Sequence, residues 1–316
     1  MLSLDKVFNA QTVLKSIIRE TNVVRAFGIA PECELYLKPE NLQITGSFKV
    51  RGSAYKIAML SDEEKKKGVI ACSAGNHAQG VALAATKNGI KSLICLPDSA
   101  PISKVEATKG FGAEVCLVEG CYDDAYQKAL ELKEKEGYTF VHPFDDENVI
   151  AGQGTIALEI LNDLDNIDAI VVPVGGGGLI SGIAYTAKHI RPSIKIYGVH
   201  CGGVQAAGAP SMHNSVQKGE IACLPSVSTI ADGIAVKKPG ENTYALVNEY
   251  VDEIALVSDD EIASAILALI EKQKMIAEGA GAAAVAAVMT GKFDLKGKRV
   301  VAVVSGGNID VTSLSR

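Results

Sequence analysis

The sequence predicts an α/β protein built on two open, twisted, mostly parallel sheets covered by helices. Three observations carry that expectation. Apolar, β-rich runs of about four to seven residues alternate with longer helical stretches along the 316 residues. The runs "AIVVPV" and "RVVAVV" are almost continuously apolar, as strands are when helices cover both faces of a sheet. Four strand-to-loop junctions, "TGSFK", "SAGNH", "GGGGL" and "SGGN", are rich in glycine and hydroxyls. Ligands in such folds bind where loops leave the C-terminal strand ends.

In chain order, "CELYLKPE" reads as a strand, followed by a loop and a helix from about Phe48. Next come strand "GVIACSA", helix "HAQGVALAATKNG", strand "KSLICLPD" and a short helix near Pro101. Strand "AEVCLVEG", the charged helix "DDAYQKALELKEKEG" and strand "YTFVHPF" follow. A long helix "NVIAGQGTIALEILNDL" leads to strand "DAIVVPV", helix "LISGIAYTAKHI" and strand "KIYGVHC". The last third repeats the alternation with "EIALVS", a helix from Asp259, an Ala-rich helix and "RVVAVV". One sheet is expected from roughly Gly46 to His142 and the other from the remainder.

Composition excludes several classes. A net charge of -6 without a basic block argues against a nucleic-acid partner. No apolar run approaches a membrane span, and the N-terminus lacks the pattern of a signal peptide. Seven cysteines without a Cys-x-x-Cys pair read as reduced thiols of a cytoplasmic protein, and a cysteine metal site is not expected. Cys72, Cys95 and Cys116 fall in expected strands, where cysteine acts as a small hydrophobe.

The junctions suggest chemistry. Gly175, Gly176, Gly177 and Gly178 stand between a strand and a helix, where backbone N–H groups can turn around an anion. The spacing fails a dinucleotide fingerprint, since Ser181 takes the third glycine position, and no Gly-Lys-Ser/Thr ending marks a nucleoside triphosphate. A cradle for a single phosphate remains. Ser73, Ala74, Gly75 and Asn76 form a second turn before a helix, suited to a carboxylate, or to an ordinary N-cap by Ser73 or Asn76. Lys49 lies in the first helical turn after the possible caps Thr45 and Ser47, between Phe48 and Val50. Alone, such a lysine snorkels to water. Here the helix dipole and desolvation both favour a neutral, nucleophilic amine. An amine, a phosphate cradle and a carboxylate turn together suggest pyridoxal 5'-phosphate held as a Schiff base. Ser305, at the end of "RVVAVVS", is placed for the pyridine nitrogen. A neutral hydroxyl there disfavours long-lived delocalised carbanions, and so transamination, relative to β-elimination.

The segments "KPENLQITGSFKVRGS", "ACSAGNHAQGVALAA", "VIAGQGTIALEI", "PVGGGGLISGIA" and "SGGNID" resemble the fold-type II pyridoxal-phosphate enzymes, whose architecture is like that of the tryptophan synthase β subunit. The nearest group is the threonine/serine dehydratases with serine racemase. The resemblance implies that Lys49 carries the cofactor, Phe48 lies beside its ring and Asn76 bonds its phenolic oxygen. It also implies that Gly175 to Leu179 hold the phosphate, Ser305 meets the ring nitrogen, and Ser73 to His77 bind the substrate carboxylate. It implies a large cofactor-binding domain of residues 1–45 and 143–316, a small domain of 46–142 closing over the substrate, and a homodimer or homotetramer. No C-terminal regulatory domain is expected after "SGGNID".

Two departures narrow the activity. Ala74 stands where similar serine racemases place a serine, and a methyl group carries no proton. Their carboxylates for a divalent cation match His200, Val204 and Ala206 here, so no metal is expected. The expected reaction is β-elimination from L-threonine or L-serine to a 2-oxo acid and ammonia, the two substrates not being separable by any residue. A serine racemase and a catalytically silent member of the fold are the alternatives. Arg51 is expected to face solvent or an acid across its helix, and Glu278 to lie near the cofactor or to act as a favourable helix N-terminal charge.

Overall fold

A computed structural model of the chain describes residues 1–202 and 208–309. The first half holds helix α1 (Leu4–Leu14), strands β1 (Val24–Arg25) and β2 (Glu34–Pro39), and helices α2 (Lys49–Ala58) and α3 (Asp62–Lys67). Then come β3 (Val69–Cys72), α4 (Asn76–Lys87), β4 (Ser92–Pro97), α5 (Ile102–Gly110), β5 (Glu114–Val118), α6 (Tyr122–Glu136) and β6 (Thr139–Phe140). The second half holds α7 (Glu147–Asp163), β7 (Ala169–Pro173), α8 (Gly178–Ile190), β8 (Lys195–Cys201), α9 (Ser211–Lys218) and α10 (Glu241–Tyr250). It ends with β9 (Glu253–Val257), α11 (Asp259–Ala268), α12 (Gly279–Met289) and β10 (Arg299–Val304). The expected alternation is therefore present, with "YTFVHPF" shortened to two strand residues before Pro143, which lacks an N–H for the ladder.

The chain divides into two compact units, Met1–Arg19 with Lys49–Gly152, and Glu20–Phe48 with Gln153–Arg316. The first unit carries a parallel sheet in the order β5-β4-β3-β6. Cys72, Cys95 and Cys116 sit side by side across it, the first two buried, as small apolar fillers. The division departs from the expected domains at both ends. Residues 1–19 fall with the first unit because α1 buries Val7, Ala10 and Leu14, and the Tyr55 hydroxyl of α2 donates to Asn9 Oδ1 at 3.0 Å. Residues 143–152 join it because the start of α7 lies against α2. A Cβ at Gly152 would sit 2.6 Å from the Arg51 carbonyl oxygen, so only glycine permits that approach.

The second unit carries a sheet in the order β1-β2-β10-β7-β8-β9, parallel except for β1. Its strands show why their sequences are continuously apolar. Val300, Ala302 and Val304 of β10 enter one core with the Ala-rich α12, while Val301 and Val303 enter another with α8. Ala169 and Val171 of β7 point to the first core, Ile170 and Val172 to the second. A charge is also buried here. Lys38 of β2 is fully enclosed and pairs with Glu159 of α7 at 2.6 Å, while its ammonium also donates to the Thr21 carbonyl. Neither partner was legible from pattern alone.

Candidate active site

In the first unit, Lys49 is the first residue of α2, half-buried between Phe48 and the enclosed Val50. Its ammonium donates to the Pro143 carbonyl at 2.9 Å. The suggested caps do not form: Thr45 Oγ1 donates to the Ser47 carbonyl at 3.4 Å, and the buried Ser47 Oγ has no partner among the described residues. Helix α4 presses on this point, since a Cβ at Gly80 would lie 3.1 Å from the Lys49 carbonyl carbon. Arg51 does not face solvent. It is 0% exposed, on a helix enclosed by α4 and the start of α7.

The turn before α4 is half-buried at Ser73, Ala74, Gly75 and Asn76. Neither Ser73 nor Asn76 is the N-cap. Gly75 occupies that position and brings no side chain to the first-turn amides, while Ser73 Oγ accepts from the Gly75 N–H at 3.1 Å. Such a terminus favours an anion. His77 is enclosed and donates through Nε2 to the Val141 carbonyl at 2.8 Å. Burial first, and then the charge of Lys49, push its pKa down to about 3, so the ring is neutral. Lys49 and the Ser73–His77 turn are thus brought together.

The loop after β6, which supplies the Val141 and Pro143 carbonyls, holds a further residue, His142. His142 Nδ1 accepts from the N–H groups of Asp145, at 2.8 Å, and Phe144, at 3.3 Å. Burial, with Lys49 as a smaller cause, lowers its pKa, against the opposing charge of Asp145. The only sequence signal was the His-Pro pair inside an apparent strand.

In the second unit, Val174 to Gly177 connect β7 to α8, whose first residues are Gly178 and Leu179. Gly177 has φ +96°, and a Cβ on it would fall 2.6 Å from Met212 Cε and 2.8 Å from Thr243 Cβ. The Thr243 hydroxyl donates to the Gly176 carbonyl at 2.6 Å, fixing the loop from outside. Gly177 is the N-cap of α8 and adds no side chain to its amides. Phe48 packs at the edge of the core beneath α8. Ser305 is buried just beyond β10, its hydroxyl donating to the Ala280 carbonyl at 3.3 Å. The segment before Lys49 pairs with this strand end: Phe48 N–H donates to the Ser305 carbonyl at 3.1 Å and Gly307 N–H to the Gly46 carbonyl at 2.8 Å. Glu278 is the buried N-cap residue of α12, its N–H donating to the Gly306 carbonyl at 3.1 Å.

His200 ends in a different setting. It is enclosed near the end of β8, both ring nitrogens lack a partner among the described residues, and burial pushes its pKa down to about 3. Val204 and Ala206 lie outside the described residues. Among the described residues, no three His, Cys, Asp or Glu side chains are grouped to hold a metal ion. No helix among them is long and apolar enough to cross a membrane.

Comparison with known proteins decides the family. The profile of the pyridoxal-phosphate dependent enzymes matches residues 14–306. The chain belongs to that family. It is 51% identical over 318 residues to the L-threonine ammonia-lyase of Thermotoga maritima, covering 100% of this chain and 78% of the relative. The processed form of threonine deaminase isoform 2 from Solanum lycopersicum superposes with a TM-score of 0.92 at 38% identity, over 99% of this chain and 92% of that one. Maize serine racemase gives a TM-score of 0.94 at 35% identity, over 99% and 96%.

The expectation of pyridoxal phosphate as cofactor and of a fold-type II architecture therefore holds for this member of the family. The residues present fit the group. The loop before α8 has room only for glycine at Gly177 and opens on helix amides that suit a phosphate. Ser305 brings a neutral hydroxyl, with no carboxylate at that position.

Proposed function

We propose that this chain is an L-threonine ammonia-lyase that also accepts L-serine, releasing ammonia and 2-oxobutanoate or pyruvate. The observation that carries the reading is 51% identity along the whole chain to an enzyme of that name. Bound pyridoxal phosphate supplies the sink for the electron pair left at Cα when its proton departs. In this reading Lys49 anchors the cofactor, then removes the Cα proton. Its place at the N-terminus of α2 favours the neutral amine this step requires. The Ser73–His77 turn orients the substrate carboxylate, Asn76 bonds the cofactor's phenolic oxygen and Phe48 packs beside its ring. Gly175, Gly176, Gly177, Gly178 and Leu179 hold the phosphate, and Ser305 faces the ring nitrogen.

Similarity to a serine racemase makes racemisation the reading to separate. Racemisation needs a proton donor on the face opposite Lys49, and Ala74 supplies none. The reading also carries a cytoplasmic homodimer or homotetramer, for which light scattering of the purified protein is the test. Steady-state assays with L-threonine and L-serine, measuring 2-oxo acid, ammonia and D-serine together, test the activity. Stoichiometric ammonia and 2-oxo acid support it. D-serine as the main product of L-serine overturns it.

A further inference from the structure

The Val141–Asp146 segment is bonded by three basic side chains of the first unit, His77, Lys49 and Lys56. Its Val141 carbonyl accepts a hydrogen bond from His77 Nε2 at 2.8 Å, and its Pro143 carbonyl accepts one from the Lys49 ammonium at 2.9 Å. His142 stands between those two carbonyls in the chain. The segment is tied down at both ends. Val141 N–H donates to the Ile70 carbonyl of β3 at 2.9 Å. At the other end Asp146 pairs with Lys56 of α2 at 2.7 Å and accepts from the first amides of α7. The Phe144 ring meets the imidazole edge-on at 4.7 Å between centroids.

This setting allows His142 one role. With two backbone N–H groups aimed at Nδ1, that atom must keep its lone pair, so the neutral ring carries its proton on Nε2. Protonating Nδ1, or moving the proton there, would set donor against donor. His142 is therefore neither a convenient base nor a proton carrier. It is a fixed neutral donor, and its Nε2–H has no partner among the described residues.

We propose that His142 is a specificity-determining residue that donates its Nε2–H to the β-hydroxyl oxygen of the substrate, orienting it and easing its departure after Lys49 removes the Cα proton. The proposal rests on the ammonia-lyase reading and adds to it the group that recognises the hydroxyl. No proton changes hands at His142: the hydrogen bond polarises the C–O bond that breaks, and the departing hydroxide takes up the proton that Lys49 drew from Cα and leaves as water. A site built to bond a hydroxyl discriminates strongly against substrates lacking it, because its own donor is then left unpaired.

Two variants separate this role from loop support. His142→Asn keeps an oxygen that can accept from the Phe144 and Asp145 amides, as Asx turns do, and removes the Nε2 donor. His142→Gln restores an N–H near the Nε2 position. The probes are L-threonine and β-chloro-L-alanine, whose chloride departs without a hydrogen-bond donor. His142→Asn is expected to bind pyridoxal phosphate as the wild type does and to lose about tenfold or more in kcat/KM for L-threonine. For β-chloro-L-alanine the loss stays within about threefold, and His142→Gln regains part of the threonine loss. Equal losses on both substrates, or none, overturn the proposal. Should His142→Asn fail to bind the cofactor, the same ratio measured on His142→Gln decides, a selective threonine loss beyond about tenfold contradicting it. A wild type that releases no ammonia from L-threonine overturns the parent reading as well, whereas an active wild type matched by His142→Asn overturns this one alone.

Discussion

The backbone N–H of Phe48 donates to the carbonyl of Ser305 at 3.1 Å, so the residue preceding Lys49 is fixed to the end of a central strand. An isolated antiparallel bridge between Ser47 and Gly306 reinforces the contact. Within the second unit, these bonds hold the entry to the lysine helix and the residue assigned to the ring nitrogen in one register. Side chains at Phe48 and Ser305 then inherit positions set by backbone geometry, which is stiffer than side-chain packing.

Replacing Gly177 by alanine tests the phosphate cradle. Its φ of +96° strains any side chain, and the added Cβ meets Met212 Cε at 2.6 Å and Thr243 Cβ at 2.8 Å. The variant should lose roughly 1–3 kcal/mol of stability and at least about tenfold in affinity for pyridoxal phosphate. Fluorescence titration with the cofactor, beside urea unfolding, reads both. Unchanged affinity would remove this loop from the cofactor site.

Ser305→Asp tests the choice of neutral partner. A carboxylate at this buried position is stable only against a cation, so it would hold the ring nitrogen protonated. Ammonia release from L-threonine should fall about tenfold or more while transamination of bound substrate rises. Stopped assays for both products check it, and unaltered partitioning would contradict the role of Ser305.

Acid should destabilise the fold through two histidines. His77 and His200 have pKa values pushed down to about 3 from an ordinary 6.5 by burial. As pH falls, the unfolded chain takes up these protons first. The stability they contribute is therefore complete above 6.5 and is lost as pH drops from there toward 3. The loss is at most about 1.4 kcal/mol per pH unit for each ring. Urea unfolding between pH 7 and pH 5 reads the slope. His200→Leu should flatten it by one histidine's share, and an unchanged slope would show that His200 is accessible to protons.

Much of this arrangement was legible in the sequence because it is local. Strand–helix alternation, the glycine run before α8 and the position of Lys49 in a first helical turn are written in adjacent residues. What escaped depends on distant partners. Arg51 looks like a surface residue until Gly80 and Gly152 bring two helices against α2. Residues 1–19 carry no mark of the unit they join, since their packing is set by Tyr55 and the apolar face of α1. Lys38 reads as a polar strand residue, and only the fold brings Glu159 to it. His142 was hidden in an apparent strand that stops at Phe140, where the proline that follows ends the ladder and frees the loop to gather Lys49 and His77.

Lys49 is proposed to carry both the cofactor and the Cα proton. Lys49→Ala, supplied with pyridoxal phosphate and L-threonine, tests it through ammonia release and the visible absorbance of the bound cofactor. A folded protein without turnover and without the wild-type absorbance band is expected. Ammonia release at the wild-type rate would contradict it.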